Sequence, residues 1–363
     1  ALGREGPSIQ LGGMIGKGFA RRKNALLTEE RMLMSCGAGA GLAAAFGAPL
    51  AGVLFALEEL HKNFSAEVLV STMAASAVAD YIAVNIIGLR PVFDFDVEHR
   101  IPLRLYWAVV LLGVTLGILG VLYNKLLDKM QDFFDRFDSK FISIGIMFMI
   151  SFLMMFIYPT VLGSGNNLVK VISDGKFTLI ALAILLVAKL FFSTGSFGTG
   201  TPGGIFLPLL VIGAITGGLY STFLSTAFGV EEYYIKAFVI IAMAGFFSAI
   251  VRAPITGVIL ITEMTGNFMT LLSLVAASLA AYVVADLLGG EPVYDQLMHR
   301  RQRKKVESGS GTPDHDYLTD VYSKSDKKYV KKRISIRERK VVIDSSIHIG
   351  SMMDGHKVME LGL

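Results

Sequence analysis

Residues 3–7 of the chain read GREGP and place the carboxylate of Glu5 between two glycines, just before an apolar stretch. A second glycine-to-proline segment, GIFLP at residues 204–208, also precedes an apolar stretch. Glycine lets a ligand approach the backbone, and proline suits the first turn of a helix, where its missing N–H group is not needed. Each segment therefore predicts an exposed helix N-terminus.

Exposed helix N-termini bind anions. Their first four N–H groups have no intrahelical acceptor and together carry a partial charge of about +0.5. Two such ends that face a common point would bind an anion without a full positive charge. Backbone dipoles can hold an ion and still release it, which suits transport better than a lysine or arginine ligand does. The alternative is that both segments are ordinary turns and helix caps.

The carboxylate of Glu5 could occupy such a site itself. It would then compete with a bound anion, and on protonation it would swing away, so that one side chain would be both a gate and a proton carrier. Alternatively, Glu5 stabilises its own helix as a first-turn acid, which contributes about 0.3–1 kcal/mol. Arg4 is better suited to pair with or position a carboxylate than to bind the ion.

The elements that carry these segments are those of a multi-pass membrane protein. Hydrophobic residues make up 53% of the 363 residues and charged residues only 18%, compared with about 25% charged residues in soluble domains. The net charge of +4 comes from basic clusters such as residues 21–23 and 299–305. The positive-inside rule places such clusters in the cytoplasm, so the charge does not indicate nucleic-acid binding. A cell-membrane protein with a cytoplasmic C-terminus is predicted.

Several apolar segments are predicted to cross the bilayer, which takes about 20 residues. These segments are residues 65–89, 105–123, 141–162, 177–192, 235–250 and 268–288. Residues 32–60 are equally apolar, but glycines and Pro49 interrupt them near the middle. A broken helix frees backbone groups that lipid cannot satisfy, so it must be buried in protein or line a wet cavity.

The chain contains an internal duplication. APLAGVLFALE at residues 48–58 aligns with APITGVILITE at residues 253–263, an offset of 205 (253 minus 48). GREGP aligns with GIFLP at an offset of 201 (204 minus 3). Two motifs in the same order at nearly the same offset predict two repeats, and short interrupted segments in matching places indicate a transporter's binding site. Identities alone leave open whether the repeats are parallel or inverted.

Glu58 and Glu59 form an acidic pair in apolar sequence. The duplication keeps Glu58 as Glu263, which indicates a structural role, whereas Glu59 aligns with Met264. A carboxylate within a membrane is costly and is functional by default, although Glu59 could also be a helix-end acid at the water boundary. An intramembrane enzyme that uses these glutamates and His61 is a remote alternative, because the HExxH spacing of a zinc site is missing. We therefore expect a transporter that needs no cofactor or metal and is not an enzyme.

With these motifs in view, the sequence resembles the CLC family of chloride channels and chloride/proton exchangers. The resemblance rests on GREGPSIQLGG (3–13), GAGAGLAAAFGAPLAGVLFALEEL (37–60), GTGTPGGIFLP (198–208), VRAPITGVILITEMTGNF (251–268) and GGEPVY (289–294). It implies an all-α homodimer of inverted repeats with broken and re-entrant helices and one anion pathway in each subunit.

The resemblance also implies a role for each group at the anion site. Glu5 corresponds to the gating glutamate, and Tyr294 corresponds to the tyrosine whose hydroxyl contacts the central ion, although it could instead anchor a helix end at the interface. The backbone N–H groups of Ile205 and Phe206 would bind the central ion, and those of Glu5 and Gly6 a more external one. The supporting motif residues are Gly3, Arg4, Pro7, Gly204 and Pro208.

The choice between exchanger and channel depends on Glu59, which the resemblance places at the internal proton-transfer position of many exchangers. It implies a chloride/proton antiporter, with a passive voltage- or pH-gated chloride channel on the same fold as the alternative. The family's serine segment that completes the central site is expected upstream of this chain, which leaves chloride and nitrate open. Glu5 together with Tyr294 favours chloride over fluoride.

Three regions are expected along the chain: a transport domain at residues 1–298, a polar linker at 299–332 and the start of a small α/β domain at 333–363. The last region resembles the TrkA-C type of regulatory domain, which implies a regulatory ligand and a bacterial inner membrane. The chain begins within a motif and without an initiator methionine. We therefore expect a piece of a longer protein whose N-terminal helices are missing.

Overall fold

The computed structural model describes residues 2–307 except 63, 89–92, 94, 96–99, 138, 164 and 176, so the expected linker and C-terminal domain lie almost wholly outside the described residues. Within the described range, the regular elements are helices. The α-helices are α1 (Glu5–Arg22), α2 (Leu27–Phe46), α3 (Pro49–Phe55), α4 (Ala66–Ile87), α5 (Tyr106–Phe134), α6 (Lys140–Ile157), α7 (Asn166–Ser173), α8 (Leu179–Gly198), α9 (Phe206–Phe228), α10 (Ile235–Val251), α11 (Pro254–Thr265), α12 (Leu271–Leu287) and α13 (Val293–Glu307). A π-helical segment, Ala56–His61, follows α3, and short 3₁₀ segments occupy Leu103–Leu105, Pro159–Val161 and Glu232–Tyr234.

Among the described residues, six helices are long and apolar enough to cross a membrane: α4, α5, α6, α8, α9 and α10, with 3₁₀ residues preceding α5 and α10. Five of them coincide with predicted spans. The sixth predicted span became α12, which has only 17 residues. The sequence analysis did not predict α9 as a span, because glycines at 213, 217 and 218 interrupt its apolar run. Those glycines let α9 pack closely on other helices. Every residue of α10 except Lys236 is buried, so the core lies around α9 and α10.

The predicted break in residues 32–60 is present and recurs in the second half. Helix α2 ends at Gly47, which has a left-handed φ of 62°, and Pro49 begins α3. In the same way α10 ends at Arg252, with a φ of 70°, and Pro254 begins α11. The residue between each pair has a similar conformation, with φ of −134° and ψ of 73° at Ala48 and φ of −116° and ψ of 77° at Ala253. The duplication therefore preserves the backbone of the break as well as its sequence.

The two repeats have equivalent packing. Helix α1 packs on α2, and α2 packs on α3 and α4; correspondingly α9 packs on α10, and α10 packs on α11 and α12. The repeats meet in an antiparallel bridge between Gly3 and Gly204, in which each N–H group donates to the other residue's carbonyl, at 2.7 and 2.9 Å. Because equivalent residues exchange equivalent hydrogen bonds, a local two-fold axis relates the repeats at this point.

Two glutamates at equivalent positions of the repeats cap each other's broken helix. Glu58 accepts hydrogen bonds from the N–H of Thr256 at 2.7 Å and of Ile255 at 3.3 Å, at the start of α11. Glu263 accepts from the N–H of Ala51 at 2.8 Å and of Leu50 at 3.1 Å, at the start of α3. The duplication indicates a structural role for Glu58 and Glu263, and this reciprocal capping supplies it, since the orphan N–H groups of each broken helix are satisfied from the other repeat.

Glycines bring α1 and α2 into backbone contact. A Cβ atom on Gly12 would clash with the carbonyl oxygen of Gly37, and one on Gly37 would clash with the carbonyl of Gly12. Small residues at helix interfaces of this kind allow the close packing that associates helices within membranes. The contact fixes α1, and with it the N-terminus that carries Glu5, against α2.

We predict that Gly12→Ala destabilises the protein by about 1–3 kcal/mol, because the added methyl group forces α1 away from α2. The matched control is Gly18→Ala on the same helix, where a Cβ would meet no atom within 4 Å. Alanine there should leave stability unchanged or raise it slightly, since it is the better helix former. Thermal unfolding in detergent micelles measures both, and equal melting temperatures for the two variants would contradict the close contact.

We also predict that Glu263→Ala costs about 1–3 kcal/mol of stability, because two N–H groups in an apolar setting lose their acceptor. Glu58→Ala should have a similar effect, since its carboxylate does the same for the other repeat. Glu232→Ala, at an exposed position, is the control and should leave the melting temperature unchanged. If alanine at only one of the two positions lowered the melting temperature, the two capping glutamates would not be equivalent.

Candidate functional site

The two glycine-to-proline segments meet at the N-termini of α1 and α9. Beyond the bridge between Gly3 and Gly204, a Cβ atom on Gly6 would lie only 2.9 Å from the Cα atom of Gly204. The two backbones are therefore in contact, and a larger residue at position 6 would separate them. Residues 3–7 and 204–208, for which the sequence predicts a common point, lie side by side.

Glu5 is fully buried at this junction, with an exposed fraction of 0%. Its Oε1 accepts a hydrogen bond of 2.7 Å from the backbone N–H of Leu207, in the first turn of α9. The N–H of Phe206 and that of Glu5 itself also interact with the carboxylate. The carboxylate therefore lies at the position that a free anion would take at the end of α9.

The second carboxylate oxygen of Glu5, Oε2, has no hydrogen-bond partner among the described residues. A buried charged oxygen without a partner is costly. The Glu5 side chain thus gains one strong hydrogen bond and leaves one oxygen unsatisfied. The burial of the unsatisfied oxygen offsets part of the stabilisation that the hydrogen bond from Leu207 provides.

Apolar residues around the N-terminus of α9 shield this helix end from water. Ile205 is the N-cap residue and Phe206 is the first residue of the helix, and both are buried. The ring of Phe206 packs on the ring of Phe46 at 5.2 Å between centroids and on that of Phe247 at 4.6 Å. An apolar wall of this kind strengthens hydrogen bonds and dipole interactions at the site, because it lowers the local dielectric.

The two prolines lie where the sequence analysis expects them. Pro7 is the third residue of α1, and Pro208 is the third residue of α9. At these positions their missing N–H groups leave no intrahelical carbonyl without a donor. Both helix ends therefore start in the same way on either side of the junction.

Arg4 acts on the Glu5 carboxylate through its charge and also bonds the end of a neighbouring helix. Its Nη2 donates a hydrogen bond of 3.3 Å to the carbonyl oxygen of Ala45, in the last turn of α2. Carbonyls at the end of a helix lack intrahelical donors, and a guanidinium group satisfies them well. Arg4 therefore holds the start of α1 against the end of α2, and its positive charge attracts the neighbouring Glu5 carboxylate.

Tyr294 interacts with two buried carboxylates, those of Glu5 and Glu59. It is the second residue of α13, and its ring packs edge-on against Phe55 at 6.2 Å. Its hydroxyl interacts electrostatically with both Glu5 and Glu59. Glu59 itself is 7% exposed and belongs to the π-helical segment Ala56–His61.

The π-helical segment separates the roles of two neighbouring glutamates. A π-helix has wider hydrogen-bonded turns than an α-helix, and it often occurs at functional sites. Glu58 reaches across to α11, whereas Glu59 is buried on its own side of the segment. Sequence reasoning did not predict the π-helical segment, because no local residue pattern specifies it.

Two further residues of the site were not identified from the sequence. Leu207 provides the N–H that binds Glu5; the rule that a capping oxygen bonds the second or third N–H of a helix would have found it once the start of α9 was known. Tyr123 is fully buried within α5, bonds the hydroxyl of Ser193 at 3.2 Å, and interacts electrostatically with Tyr294. Nothing in its own segment distinguishes it from other residues of a membrane helix.

Comparison with known proteins agrees with this geometry. The family described as "Voltage gated chloride channel" matches residues 1–286. The H(+)/Cl(-) exchange transporter ClcA of Vibrio parahaemolyticus serotype O3:K6 is 34% identical over 307 residues, and that of Vibrio cholerae serotype O1 is 36% identical over 312 residues. Each alignment covers 82% of this chain, and the chain spans 66% of the length of these curated relatives.

A solved structure has the same arrangement of helices. The crystal structure of a slow cyanobacterial Cl⁻/H⁺ antiporter superposes with a TM-score of 0.75 at 30% sequence identity, over 84% of this chain and 72% of the other. The helical architecture of this chain is thus a known all-α fold. The chain belongs to the voltage-gated chloride channel family, also called the CLC family.

Proposed function

We propose that this protein exchanges chloride for protons across a membrane. The observation that carries the proposal is the position of Glu5, whose buried carboxylate accepts the Leu207 N–H at 2.7 Å at the N-terminus of α9. The names of the relatives support it, since they are an H(+)/Cl(-) exchange transporter and a Cl⁻/H⁺ antiporter.

The coupling follows from competition for one position. When Glu5 is ionised, its carboxylate takes the N–H groups at the end of α9 and excludes a chloride ion, because two negative charges cannot share them. When Glu5 is protonated, its attraction to those dipoles falls and chloride displaces it. The backbone N–H groups of Ile205 and Phe206 then bind the central ion, and those of Glu5 and Gly6 bind a more external one.

Tyr294 and the supporting residues complete the anion site. The hydroxyl of Tyr294, which interacts with both Glu5 and Glu59, would donate to the central ion. Gly3 and Gly204 keep the two helix ends together through their bridge, and Arg4 fixes α1 through its bond to the end of α2. Only partial charges would then contact the ion, so it could be held and released.

Glu59 would transfer protons at the other end of the proton route. It is buried and close to Tyr294, whose hydroxyl interacts with both carboxylates. A passive chloride channel needs no titratable group at this position, so the buried carboxylate favours an exchanger. We further propose a homodimer in the inner membrane of a bacterium, with a cytoplasmic C-terminus and a regulatory ligand for residues 333–363, and with transport rather than enzymatic activity.

We predict that Glu5→Ala abolishes proton coupling and leaves chloride flux, because the site then has no tethered competitor and no proton carrier. The measurement uses the full-length protein in liposomes, with chloride efflux followed by a silver chloride electrode and proton uptake by external pH. Glu232→Ala should retain both fluxes. If the Glu5→Ala protein still drives protons uphill with a chloride gradient, the gate assignment is wrong.

We predict that Glu59→Val also stops proton transport while chloride continues to move, because protons then lose their route to Glu5 from one side. The same liposome assay measures it. Glu67→Val, at an exposed position in the first turn of α4, is the control and should leave both fluxes intact. Unchanged proton transport by the Glu59→Val protein would remove the reason for preferring an exchanger over a passive channel.

A further inference from the structure

An ion pair joins the segment that carries Glu59 to the helix that carries Tyr294. The Nζ atom of Lys62 lies 2.6 Å from Oδ1 and 2.8 Å from Oδ2 of Asp295. Lys62 directly follows the π-helical segment, and Asp295 directly follows Tyr294 in the first turn of α13. One bidentate contact therefore connects two segments that are 233 residues apart in sequence.

The backbone of Lys62 indicates that its side chain matters. Its φ of 53° and ψ of 24° are left-handed, a conformation that glycine or asparagine adopts more easily than lysine does. Arg252, which ends α10 in the same conformation, is anchored by its guanidinium group to the carbonyls of Tyr282 and Gly290. Lys62 is anchored through its ammonium group to Asp295, so in both cases the side chain holds a strained helix end in place.

The pair is more exposed to water than Glu59, on whose carboxylate both of its charges act. The side chains of Lys62 and Asp295 are 52% and 27% exposed, whereas Glu59 is 7% exposed. An exposed ion pair contributes little to stability, so stability alone does not explain this one. Its proximity to the buried carboxylate of Glu59 indicates an electrostatic role instead.

The pair balances the charge that acts on Glu59. Lys62 attracts the carboxylate, and Asp295 and Glu58 repel it, with Lys62 the strongest of the three. The hydroxyl of Tyr294 also interacts with it. Loss of either member of the pair would leave the other charge uncompensated beside Glu59.

We propose that Lys62 and Asp295 are positioning residues for proton transfer: their ion pair keeps Glu59 buried beside Tyr294 and sets the pH range in which Glu59 exchanges protons with water. The inference rests on the proposed chloride/proton exchange. A purely structural contact would be lost in the same way whichever residue is replaced. The proposed role differs, because removing the positive and the negative charge should shift the pH dependence of transport in opposite directions.

The test is the pH dependence of chloride-driven proton transport in liposomes. Lys62→Gln leaves the negative charge of Asp295, which favours the protonated form of Glu59, so the pH of half-maximal transport should rise by about 0.5–1 unit. Asp295→Asn leaves the positive charge of Lys62, so the same midpoint should fall by a similar amount. The double exchange Lys62→Asp with Asp295→Lys restores the balance and should return the midpoint toward that of the unmodified protein.

Two controls separate the inference from its alternatives. Arg104→Gln removes another exposed ion pair, with Glu231 at 3.3 Å, and should leave the midpoint unchanged; Lys62→Arg keeps the charge and should do the same. If the unmodified protein couples protons to chloride but the two single variants shift together or not at all, the ion-pair inference is overturned and the proposed function stands. If the unmodified protein moves no protons against a chloride gradient, both are overturned.

Discussion

The contact between the N-termini of α1 and α9 is the constraint on which the rest of the molecule depends. Its centre is a carboxylate from one repeat bonded to a backbone N–H of the other, between Glu5 and Leu207 at 2.7 Å. Helix ends can approach this closely only where glycine replaces side chains, as at Gly6 and Gly204. Two further contacts support this junction, because they fix the direction in which α1 points. They are the glycine contacts between α1 and α2 and the hydrogen bond from Arg4 to the end of α2.

The same region shows how two adjacent glutamates come to lie in different surroundings. Glu58 caps a helix of the opposite repeat, whereas Glu59 is buried and interacts with the hydroxyl of Tyr294. The π-helical segment makes this possible, because it changes the angular spacing of successive side chains. The duplication retains only the capping glutamate, as Glu263, so both repeats have the structural carboxylate and only the first has the buried glutamate beside it.

Local chemistry made part of this structure predictable. The glycine-to-proline segments, the break at Pro49 and the duplication each follow from short-range rules about helix ends, and the structure has each of them. The span of α9, the N–H of Leu207, the π-helical segment and the ion pair of Lys62 with Asp295 were not predicted. They depend on which segments come into contact in the folded protein, and the residue pattern of a single segment does not predict its contacts. The predicted C-terminal domain lies outside the described residues.

Reciprocal capping also has a consequence for biogenesis. A ribosome releases residues 49–55 long before Glu263, so the N–H groups of Leu50 and Ala51 wait for their acceptor until more than two hundred further residues have been translated. During that interval the first broken helix has unsatisfied donors in an apolar setting, which favours keeping it near water or the translocation machinery. The cap on the first broken helix is therefore completed only when the second repeat has been made.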